Sequence, residues 1–461
     1  MPRRSLLAFL FLLPFALCAE SSAPPHHALA RDIYRELIEI NTTGAHGSTA
    51  AALAMQARLK AAGFTDAEMQ VLGPTPEAQN LVVRLRGRGE QRPIIFIGHL
   101  DVVEALPSDW STDPFKLVEK DGYFYGRGTI DMKDGVTALV IGLIRMKQLD
   151  YVPRGDIIVA LTDHEEDGGA NGAIWLVQNH RELVDAAYGI NPDGGHGEYH
   201  DGKPTVLQFQ TAEKTYVGID IEVKNAGGHA SVPRPDNAIY HLTSALQRLA
   251  AYEFPLQFNE TTRAYFARSA LLETGQTKAD MLALLREPTD GEAARRLAAA
   301  KPFFNALLRT TCVATQLQAG HAENALPQTA RATLNARIMP GDAPATVQAE
   351  LERVLADDQI KVTRFQVFPA GPLSPLEPVL FEKVEKLAAQ RWPGVAVVPT
   401  MSTGATDSVH WRLVGIPMYG VSGAFVESGE HRAHGRDERL GVKEFYQAVD
   451  FMYDLMRTVS E

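Results

Sequence analysis

Two short apolar runs, at 93–98 and 156–162, limit the folds that are open to this chain. Both are rich in β-branched and other apolar residues through their centres, as in strands that are buried on both faces of a sheet. A helical pattern at 135–149 lies between them. A strand, a helix and a second strand at this spacing predict an α/β fold with a largely parallel sheet.

The length of 461 residues predicts more than one domain. We assign the α/β pattern to two segments, 26–213 and 370–461, which together form the predicted catalytic domain. The interval between them has elements of its own, predicted as strands at 216–224, near 313, near 330 and at 360–367, and as helices at 237–252 and 345–355. This pattern predicts an inserted α+β domain at 214–369. A helical stretch at 260–308, inside that interval, carries no recognisable chemistry and is expected to serve packing.

The first 19 residues have the layout of a secretory signal peptide. Arg3 and Arg4 precede an apolar run at 6–17, which ends at Cys18. The run is shorter than the roughly 20 residues that a membrane span needs, so we predict a signal peptide at 1–19, export to the periplasm or beyond, and no membrane span. A lipid on Cys18 is the alternative. Without the signal only Cys312 remains, which excludes an internal disulfide.

Charge argues against nucleic acids and anionic membrane surfaces as partners. The chain carries 45 Lys and Arg residues against 56 Asp and Glu residues, a formal net charge of −11. No cluster of basic residues in the mature region overcomes that acidity locally.

Five polar clusters follow apolar runs or precede helices, and they carry the candidate chemistry. They are 99–101, 126–135, 162–169, 191–195 and 434–439. In open α/β sheets the carboxyl ends of strands line the ligand crevice. Taken singly, each cluster has an ordinary explanation, such as a surface hydrogen bond, a helix cap or a solvated acidic loop. Packing the adjacent Glu165 and Glu166 against an apolar strand, however, is unfavourable unless a cation or a proton neutralises them.

The five clusters, in this order, resemble the co-catalytic zinc exopeptidase family of glutamate carboxypeptidase, aminoacylase, succinyl-diaminopimelate desuccinylase and carboxypeptidase S. The resemblance covers nearly the whole mature chain. Within the family, carboxypeptidase S and the secreted N-acyl amino acid hydrolases are nearest, judged by 99–103, 126–133 and 324–328. The resemblance implies a zinc-exopeptidase-like mixed sheet with flanking helices, and an inserted domain that acts as a lid and in dimerisation.

The resemblance also implies a ligand set for two metal ions. Asp131 would bridge the ions, with Glu166 and His434 completing one site and His99 and Asp193 the other. Imidazole nitrogen and carboxylate oxygen suit Zn²⁺, so two zinc ions are expected. Co²⁺ or Mn²⁺ suit the same ligands.

Three further residues receive catalytic roles from the resemblance. Glu165 would be the general base that takes a proton from water and returns it to the leaving amine. Asp101 would orient His99, and His229 of the inserted domain would polarise the scissile carbonyl, commonly from a partner subunit. At position 164 the family usually has an acidic residue where this chain has His164, a departure that bears on substrate preference more than on catalysis. The resemblance further predicts a cis bond between Asp131 and Met132.

Recognition of a substrate carboxylate is implied at three positions. Asn324 and Arg337 match family positions that bind this group, a task suited to the planar guanidinium. Gly404 is expected to contribute backbone N–H groups to the same end.

These assignments predict hydrolysis of an amide or peptide bond next to a free carboxylate. The substrate would be a small peptide or an N-acyl amino acid, and the enzyme a homodimer through its lid domain. One alternative is a di-zinc aminopeptidase, which recognises a free amine; Asn324 and Arg337 argue against it. The other is a non-catalytic periplasmic binding relative, against which the intact Glu165 argues.

Overall fold

The computed structural model describes residues 24–427, 430 and 432–461, and its largest element is a ten-stranded mixed β-sheet. The predicted signal peptide at 1–19, including Cys18, lies outside the described residues. The strands of the described chain are β1 Met69–Leu72, β2 Asn80–Leu85, β3 Ile94–His99, β4 Val118–Lys120, β5 Tyr123–Tyr125, β6 Ile157–Thr162, β7 Tyr188–Asn191, β8 Gly197–His200, β9 Lys203–Glu213, β10 Thr215–Lys224, β11 Gly228–His229, β12 Thr311–Ala319, β13 Ala325–Leu326, β14 Thr329–Ile338, β15 Ile360–Val367, β16 Ala396–Ser402, β17 Met418–Gly420, β18 Phe425–Glu427 and β19 Arg439–Gly441.

The large sheet has the order β1-β2-β6-β3-β7-β17-β9-β8-β18, and β16 pairs with β9 off this path. Its centre is parallel, since β3 runs parallel to both β6 and β7, and β7 parallel to β17. Every residue of β3 and β6 is buried, as the two apolar runs predicted. The register places His99 beside Thr162, so the carboxyl ends of these two strands meet at one edge.

Helices cover both faces of this sheet. The helices of the described chain are α1 Pro25–Glu39, α2 Thr49–Ala61, α3 Lys133–Gln148, α4 Gly172–Asn179, α5 Arg181–Val184, α6 Ala238–Ala251, α7 Glu260–Leu272, α8 Gly275–Arg286, α9 Gly291–Ala300, α10 Pro302–Leu308, α11 Pro344–Leu355, α12 Pro378–Arg391, α13 Ser408–Leu413 and α14 Val442–Ser460. Helices α1, α2, α3, α12 and α14 share the largest apolar core with one face, and α4, α5 and α13 pack on the other. The predicted α/β fold, a mixed sheet with flanking helices, is confirmed.

A second, four-stranded sheet lies within the predicted insertion. Its order is β12-β14-β10-β15, with every neighbouring pair antiparallel. Alternate residues of β14, from Ala330 to Ile338, are buried, because one face of the sheet packs on α6 and α11. The side chains from the two helices and the sheet form a core separate from that of the large sheet.

The helical stretch in the middle of the insertion contributes to a different core from that of the second sheet. Helices α7 to α10 pack with Ala212 of β9 and Met401 of β16, which belong to the large sheet. Arg268 of α7 donates to the carbonyl of Val397 in β16 at 3.2 Å. The predicted insertion at 214–369 therefore contains two structural parts, the second sheet with its two helices and a helical group attached to the large sheet.

Within the described residues, no helix combines the length and the apolar character that crossing a bilayer requires. Cys312 lies in β12, is half-buried and forms no disulfide.

Candidate metal centre

The five predicted metal ligands lie at the ends of strands or in the turns beside them. His99 is the last residue of β3, and Asp193 comes two residues after the end of β7. Glu166 lies in the turn after β6, Asp131 in the turn before α3, and His434 between β18 and β19. Strands β3, β6 and β7 are parallel neighbours, so residues that follow them reach the same crevice.

The two oxygens of the Asp131 carboxylate face different histidines. Oδ1 lies 3.1 Å from His99 Nε2, and Oδ2 lies 3.1 Å from His434 Nε2. On the first side, Asp193 Oδ1 is 3.8 Å from the same His99 nitrogen. On the second side, Glu166 Oε2 is 2.9 Å from His434 Nε2. The ligand atoms thus form two groups of three that share Asp131, and the peptide bond after Asp131 is cis, as predicted.

The pKa shifts of these groups reflect the concentration of negative charge here. Burial raises the pKa of Asp193 to about 6, although His99 opposes the shift. Burial lowers the pKa of His99, but its hydrogen bonds to the surrounding carboxylates outweigh this effect and raise the pKa well above its ordinary value. Hydrogen bonds to Asp131 and Glu166 raise the pKa of His434 to about 10. The cluster therefore favours extra positive charge, which protons supply in the absence of another cation.

The residues present fit a pair of divalent cations. Each group offers one imidazole nitrogen and two carboxylate groups, which are donor types that Zn²⁺, Co²⁺ and Mn²⁺ accept. The ligand atoms within a group lie within 4.8 Å of one another. In addition, Glu166 Oε1 is buried and has no hydrogen-bond donor among the described residues. An unpaired buried carboxylate oxygen is costly, and a cation between Glu166 and His434 removes that cost.

Asp101 orients His99, but mainly through its backbone. His99 Nδ1 is 3.0 Å from the carbonyl oxygen of Asp101 and 3.5 Å from its carboxylate. The Asp101 carboxylate instead accepts hydrogen bonds from the backbone N–H groups of Glu165 and Glu166, at 3.2 and 3.0 Å. The predicted carboxylate contact with His99 is therefore secondary, because that carboxylate fixes the turn that carries the two glutamates.

Glu438 is a positioning residue to which the sequence analysis gave no role. Its side chain is fully buried and accepts a hydrogen bond from Arg127 Nη1 at 2.6 Å. It also accepts from the backbone N–H groups of Gly128, Ile130 and Asp131, at 3.2, 2.8 and 3.3 Å. The turn that aims Asp131 is thus tied to the segment that carries His434. The signal was present in the sequence, because Glu438 follows His434 by four residues in the fifth cluster.

Asp407 is a second positioning residue that the sequence analysis missed. It is buried and accepts hydrogen bonds from Thr162 Oγ1 at 2.7 Å and from Asn171 Nδ2 at 2.9 Å. Thr162 immediately precedes the loop that carries Glu165 and Glu166, and Asn171 caps the helix that follows this loop. Asp407 therefore holds both ends of the loop.

Glu165 lies beside the two ligand groups without belonging to either. Its carboxylate accepts no hydrogen bond from the described residues, while its backbone is fixed by Asp101. Burial raises the pKa of Glu165 well above its ordinary value; His99 opposes the shift, and the carboxylates of Asp193 and Asp407 add to it. A carboxylate of raised proton affinity is suited to accept a proton near neutral pH.

The three site residues predicted on the second sheet and its loops do not contact the metal ligands. No hydrogen bond or ion pair between described residues joins His229, Asn324 or Arg337 to a metal ligand. His229 and Asn324 are neighbours, because β11 pairs with β13 and the N–H of Ala230 donates to the Asn324 carbonyl at 3.0 Å. Arg337 stacks over the ring of Tyr216, with the guanidinium carbon 4.8 Å from the ring centroid.

Arg337 has no carboxylate partner among the described residues. Burial lowers the pKa of its guanidinium, because no neighbouring carboxylate compensates the charge. The neighbouring Lys214 directs its ammonium group to the Arg309 carbonyl at 2.7 Å. A half-buried, unpaired arginine is a candidate site for a substrate anion.

Gly404 lies in a turn after β16. Its backbone N–H donates to Ser402 Oγ at 3.0 Å, within its own turn. Its contribution to binding of a substrate carboxylate therefore stays a prediction, and it requires the N–H to exchange this partner for the substrate. His164 contacts Asp167 instead of any predicted ligand, with Nδ1 3.2 Å from Oδ1.

The chain is similar in sequence to known proteins. The profile described as peptidase family M20/M25/M40 matches residues 95–458. A Dictyostelium discoideum protein named "Probable carboxypeptidase S-like 2" is 29% identical over 402 residues, which cover 83% of this chain and 75% of that protein. The human protein named "N-fatty-acyl-amino acid synthase/hydrolase PM20D1" is 27% identical over 375 residues, which cover 79% of this chain and 74% of that protein.

Solved structures share the fold. The M20 family metallo-carboxypeptidase Sso-CP2 from Sulfolobus solfataricus superposes with a TM-score of 0.71 at 16% identity, over 93% of this chain and 98% of that one. The Bacillus subtilis YXEP protein, described as a dinuclear metal binding peptidase from the M20 family, superposes with a TM-score of 0.60 at 14% identity, over 94% of this chain and 98% of that one.

We expect Glu438→Gln to weaken both stability and metal binding. The substitution leaves the buried Arg127 without a counter-charge and removes an acceptor from the turn that aims Asp131. Breaking a buried ion pair costs roughly 3–5 kcal/mol, and loss of a residue that orients a ligand lowers metal affinity roughly 10- to 100-fold. Denaturant unfolding and metal titration measure the two effects. The control is Glu292→Gln, which removes an exposed ion pair with Arg295. Equal effects of the two substitutions would refute the positioning role of Glu438.

Removal of metal should destabilise the protein more at high pH than at low pH. The pKa of Asp193 is raised in the folded state to about 6 and that of His434 to about 10. A group whose pKa is raised in the folded state stabilises the fold at low pH, and this stabilisation is lost as the pH rises. For Asp193 the loss falls between its ordinary pKa of 3.8 and about 6. For His434 it falls between 6.5 and about 10. Bound cations replace those protons.

The melting temperatures of chelator-treated and metal-loaded protein should therefore diverge as the pH rises from about 5 to about 9. Thermal unfolding of both forms at a series of pH values measures this gap. The variant Asp193→Asn lacks one of the titrating groups and should show a smaller change below about pH 6. A gap that stays constant across the series would contradict the charge-concentration account.

Proposed function

The chain belongs to peptidase family M20/M25/M40 and is a metal-dependent hydrolase of amide or peptide bonds, and we propose that its substrates are N-acyl amino acids or small peptides with a free carboxylate. The observation that carries this proposal is the unpaired Arg337, half-buried against Tyr216 on the second sheet. The names of the relatives support it, since they are a carboxypeptidase S-like protein and N-fatty-acyl-amino acid hydrolases.

We propose two zinc ions as the cofactor, with Asp131 shared between them. His99 and Asp193 would complete one site, and Glu166 and His434 the other. When bound, the ions supply Lewis acidity at the scissile carbonyl and lower the pKa of a water molecule. The absence of thiolate ligands leaves Co²⁺ and Mn²⁺ compatible with the same residues, and metal analysis of the purified protein decides between them.

Glu165 then acts as the general base. It takes a proton from the attacking water, whose oxygen forms a bond to the carbonyl carbon. When the carbon–nitrogen bond breaks, Glu165 delivers this proton to the leaving nitrogen, so that the products are a carboxylic acid and a free amine. The hydrogen bonds from the Glu165 and Glu166 backbones to Asp101 keep this carboxylate in place during both transfers.

His229 is suited to polarise the carbonyl oxygen. Its Nδ1 accepts a hydrogen bond from the backbone N–H of Ser231 at 3.2 Å, which leaves the Nε2 proton free to donate. Because His229 and Arg337 do not contact the metal ligands here, their participation requires the second sheet to move toward the centre, or a second subunit to supply His229.

A homodimer through the second sheet is supported by the exposed edge of that sheet. Strand β12 forms this edge, and its residues Val313 and Leu317 are 59% and 58% exposed. An exposed, apolar edge strand is a ready site for pairing with another chain. Light scattering on the purified protein measures the mass, and a monomer at micromolar concentration would contradict this part of the proposal.

Export is proposed from the first 19 residues, whose layout is that of a signal peptide. N-terminal sequencing of protein recovered from the source cells tests it, and an intact Met1 in the mature protein would contradict it.

We expect Glu165→Gln to lower kcat by roughly 10²- to 10⁴-fold, because the amide cannot accept a proton. The variant should retain its metal content, since Glu165 is not a proposed ligand. Glu382→Gln, which alters an exposed glutamate paired with Lys386, is the control. An active Glu165→Gln variant would overturn the assignment of the base.

The same assay separates the proposed substrates from those of an aminopeptidase. An N-acyl amino acid should be cleaved faster than its methyl ester, and Arg337→Lys should reduce that preference. Preference for a dipeptide with a free amine and a blocked carboxylate would instead support the aminopeptidase.

A further inference from the structure

Lys133 is a buried residue of the second cluster to which none of the roles above applies. It is the first residue of α3, it comes two residues after Asp131, and its side chain is fully buried. Its ammonium group donates to two backbone carbonyl oxygens, of Leu37 at 2.8 Å and of Ile40 at 3.0 Å. Burying an ammonium group is costly unless such partners compensate it. These two contacts are therefore a requirement of the fold around Asp131.

Both carbonyl groups lie at the carboxyl end of α1. Leu37 belongs to the last turn of this helix, and Ile40 is the residue that follows it. The last carbonyl groups of a helix have no partner within the helix and carry a partial negative charge. The last turn of α1 contains no basic residue of its own. Lys133 supplies that cation from α3, and it thereby attaches the turn of Asp131 to α1.

The same helix contacts this turn at a second point. The hydroxyl group of Tyr34 in α1 donates to the carbonyl oxygen of Thr129 at 2.5 Å. The Tyr34 ring is buried and stacks on Phe445 of α14, with the ring centroids 4.3 Å apart. Asp131 therefore lies between two residues, Thr129 and Lys133, that are both held by α1.

The segment after α1 also reaches the other side of the metal centre. Thr42 Oγ1 donates to the carbonyl oxygen of Leu100, the residue after His99, at 2.7 Å. The backbone N–H of Val102 donates to the Thr42 carbonyl at 3.2 Å. The family profile matches from residue 95 onward, so α1 and Thr42 precede the matched region. A segment outside that region thus contacts the chain on both sides of the ligand pair His99 and Asp131.

Helix α1 is itself anchored to the large domain at its other end. His26 Nε2 and His27 Nε2 lie 2.7 and 3.1 Å from the two carboxylate oxygens of Asp450 in α14. The ring of His27 also stacks on Tyr446, with the centroids 4.5 Å apart. Because both ends of α1 are fixed, the helix can hold the turn of Asp131 in one position.

We propose that α1 positions the metal centre, and that Lys133 is the positioning residue through which it does so. With Lys133 and Tyr34 attached to α1, the turn directs one oxygen of Asp131 to His99 and the other to His434. Asp131 is shared by both groups of ligands, so a turn released from α1 weakens both metal sites. The inference rests on the proposed metal sites and on no choice of substrate.

The first test is Lys133→Met, which keeps the length of the side chain and removes its donors. The affinity of the full chain for Zn²⁺ or Co²⁺, measured by competition with a chelating dye, should fall roughly 10- to 100-fold. The visible absorption spectrum of the Co²⁺ form should change, because the geometry of the ligands changes. In metal-free protein the backbone amides of Ile130 and Asp131, which donate to Glu438, should exchange hydrogen faster.

Tyr34→Phe tests the second contact and decides the question if Lys133→Met does not fold. It removes one hydroxyl group and keeps the ring stacked on Phe445, so metal affinity should fall by about fivefold, as expected for one buried hydrogen bond. The double variant should lose less affinity than the product of the two single losses, because both contacts hold the same turn.

Lys147→Met is the matched control. Lys147 lies on the same helix as Lys133, and its ammonium group pairs with Glu68, with Nζ 2.7 Å from Oε1. The control removes a partly buried lysine far from the turn of Asp131. It should lower the melting temperature without changing metal affinity, the Co²⁺ spectrum or amide exchange at Ile130 and Asp131.

Unchanged metal affinity and amide exchange in both Lys133→Met and Tyr34→Phe would overturn the positioning role, as would equal losses in Lys147→Met. No substrate enters these measurements, so a failure to cleave peptides or N-acyl amino acids would refute the proposed function alone. If the unaltered chain binds no divalent cation, the proposed metal sites fail. Amide exchange at Ile130 and Asp131 then still shows whether Lys133 holds the turn.

Discussion

Electrostatic repulsion among the carboxylates around Asp131 is the constraint on which this site depends. The ends of β6 and β7 and the turn before α3 bring Glu166, Asp193 and Asp131 within reach of one another, although like charges at this spacing repel strongly in a partly buried site. Among the described residues, the ion pairs of these three carboxylates are with His99 and His434, and none is with a lysine or an arginine. The buried Arg127 is paired with Glu438, and the buried ammonium group of Lys133 donates to two backbone carbonyl oxygens. The compensating charge must therefore come from protonated histidines or from cations bound between them.

Further buried carboxylates serve the ligands without binding the cations. Asp101 accepts hydrogen bonds from the turn that carries Glu165 and Glu166, and Asp407 holds the two ends of the same loop. Glu438 does the same for the turn of Asp131. Each of these three carboxylates is satisfied by hydrogen-bond donors, whereas Glu166 Oε1 is not. That difference separates the residues that position the centre from those that offer it a free oxygen.

The apolar runs predicted the strand ends that carry His99, Glu165 and Glu166, whereas the full ligand set was implied by the family resemblance of the five clusters together. The apolar runs that form β3 and β6 are buried along their whole length, and the residue that ends each run has only one edge of the sheet to occupy. The pairing of Glu438 with Arg127 joins residues 311 positions apart, and no local pattern encodes it. The same holds for α7 to α10, whose Ala- and Leu-rich helical sequence predicts that they pack but not on which sheet. Sequence proximity predicted the contact of Asp101 with His99, but not the hydrogen bonds that its carboxylate accepts from residues 64 and 65 positions away.

The protein around the metal centre is built from parts that are attached in different ways. Helices α7 to α10 share a core with β9 and β16, so their position relative to the metal ligands is fixed by the packing of the large sheet. Arg337 belongs to the second sheet, which has a core of its own, and no hydrogen bond or ion pair between described residues joins it to the metal ligands. On the proposed function, Arg337 and His229 reach a substrate at the centre only when the second sheet closes or a second subunit supplies His229. Hydrolysis would therefore depend on how these separately packed parts come together.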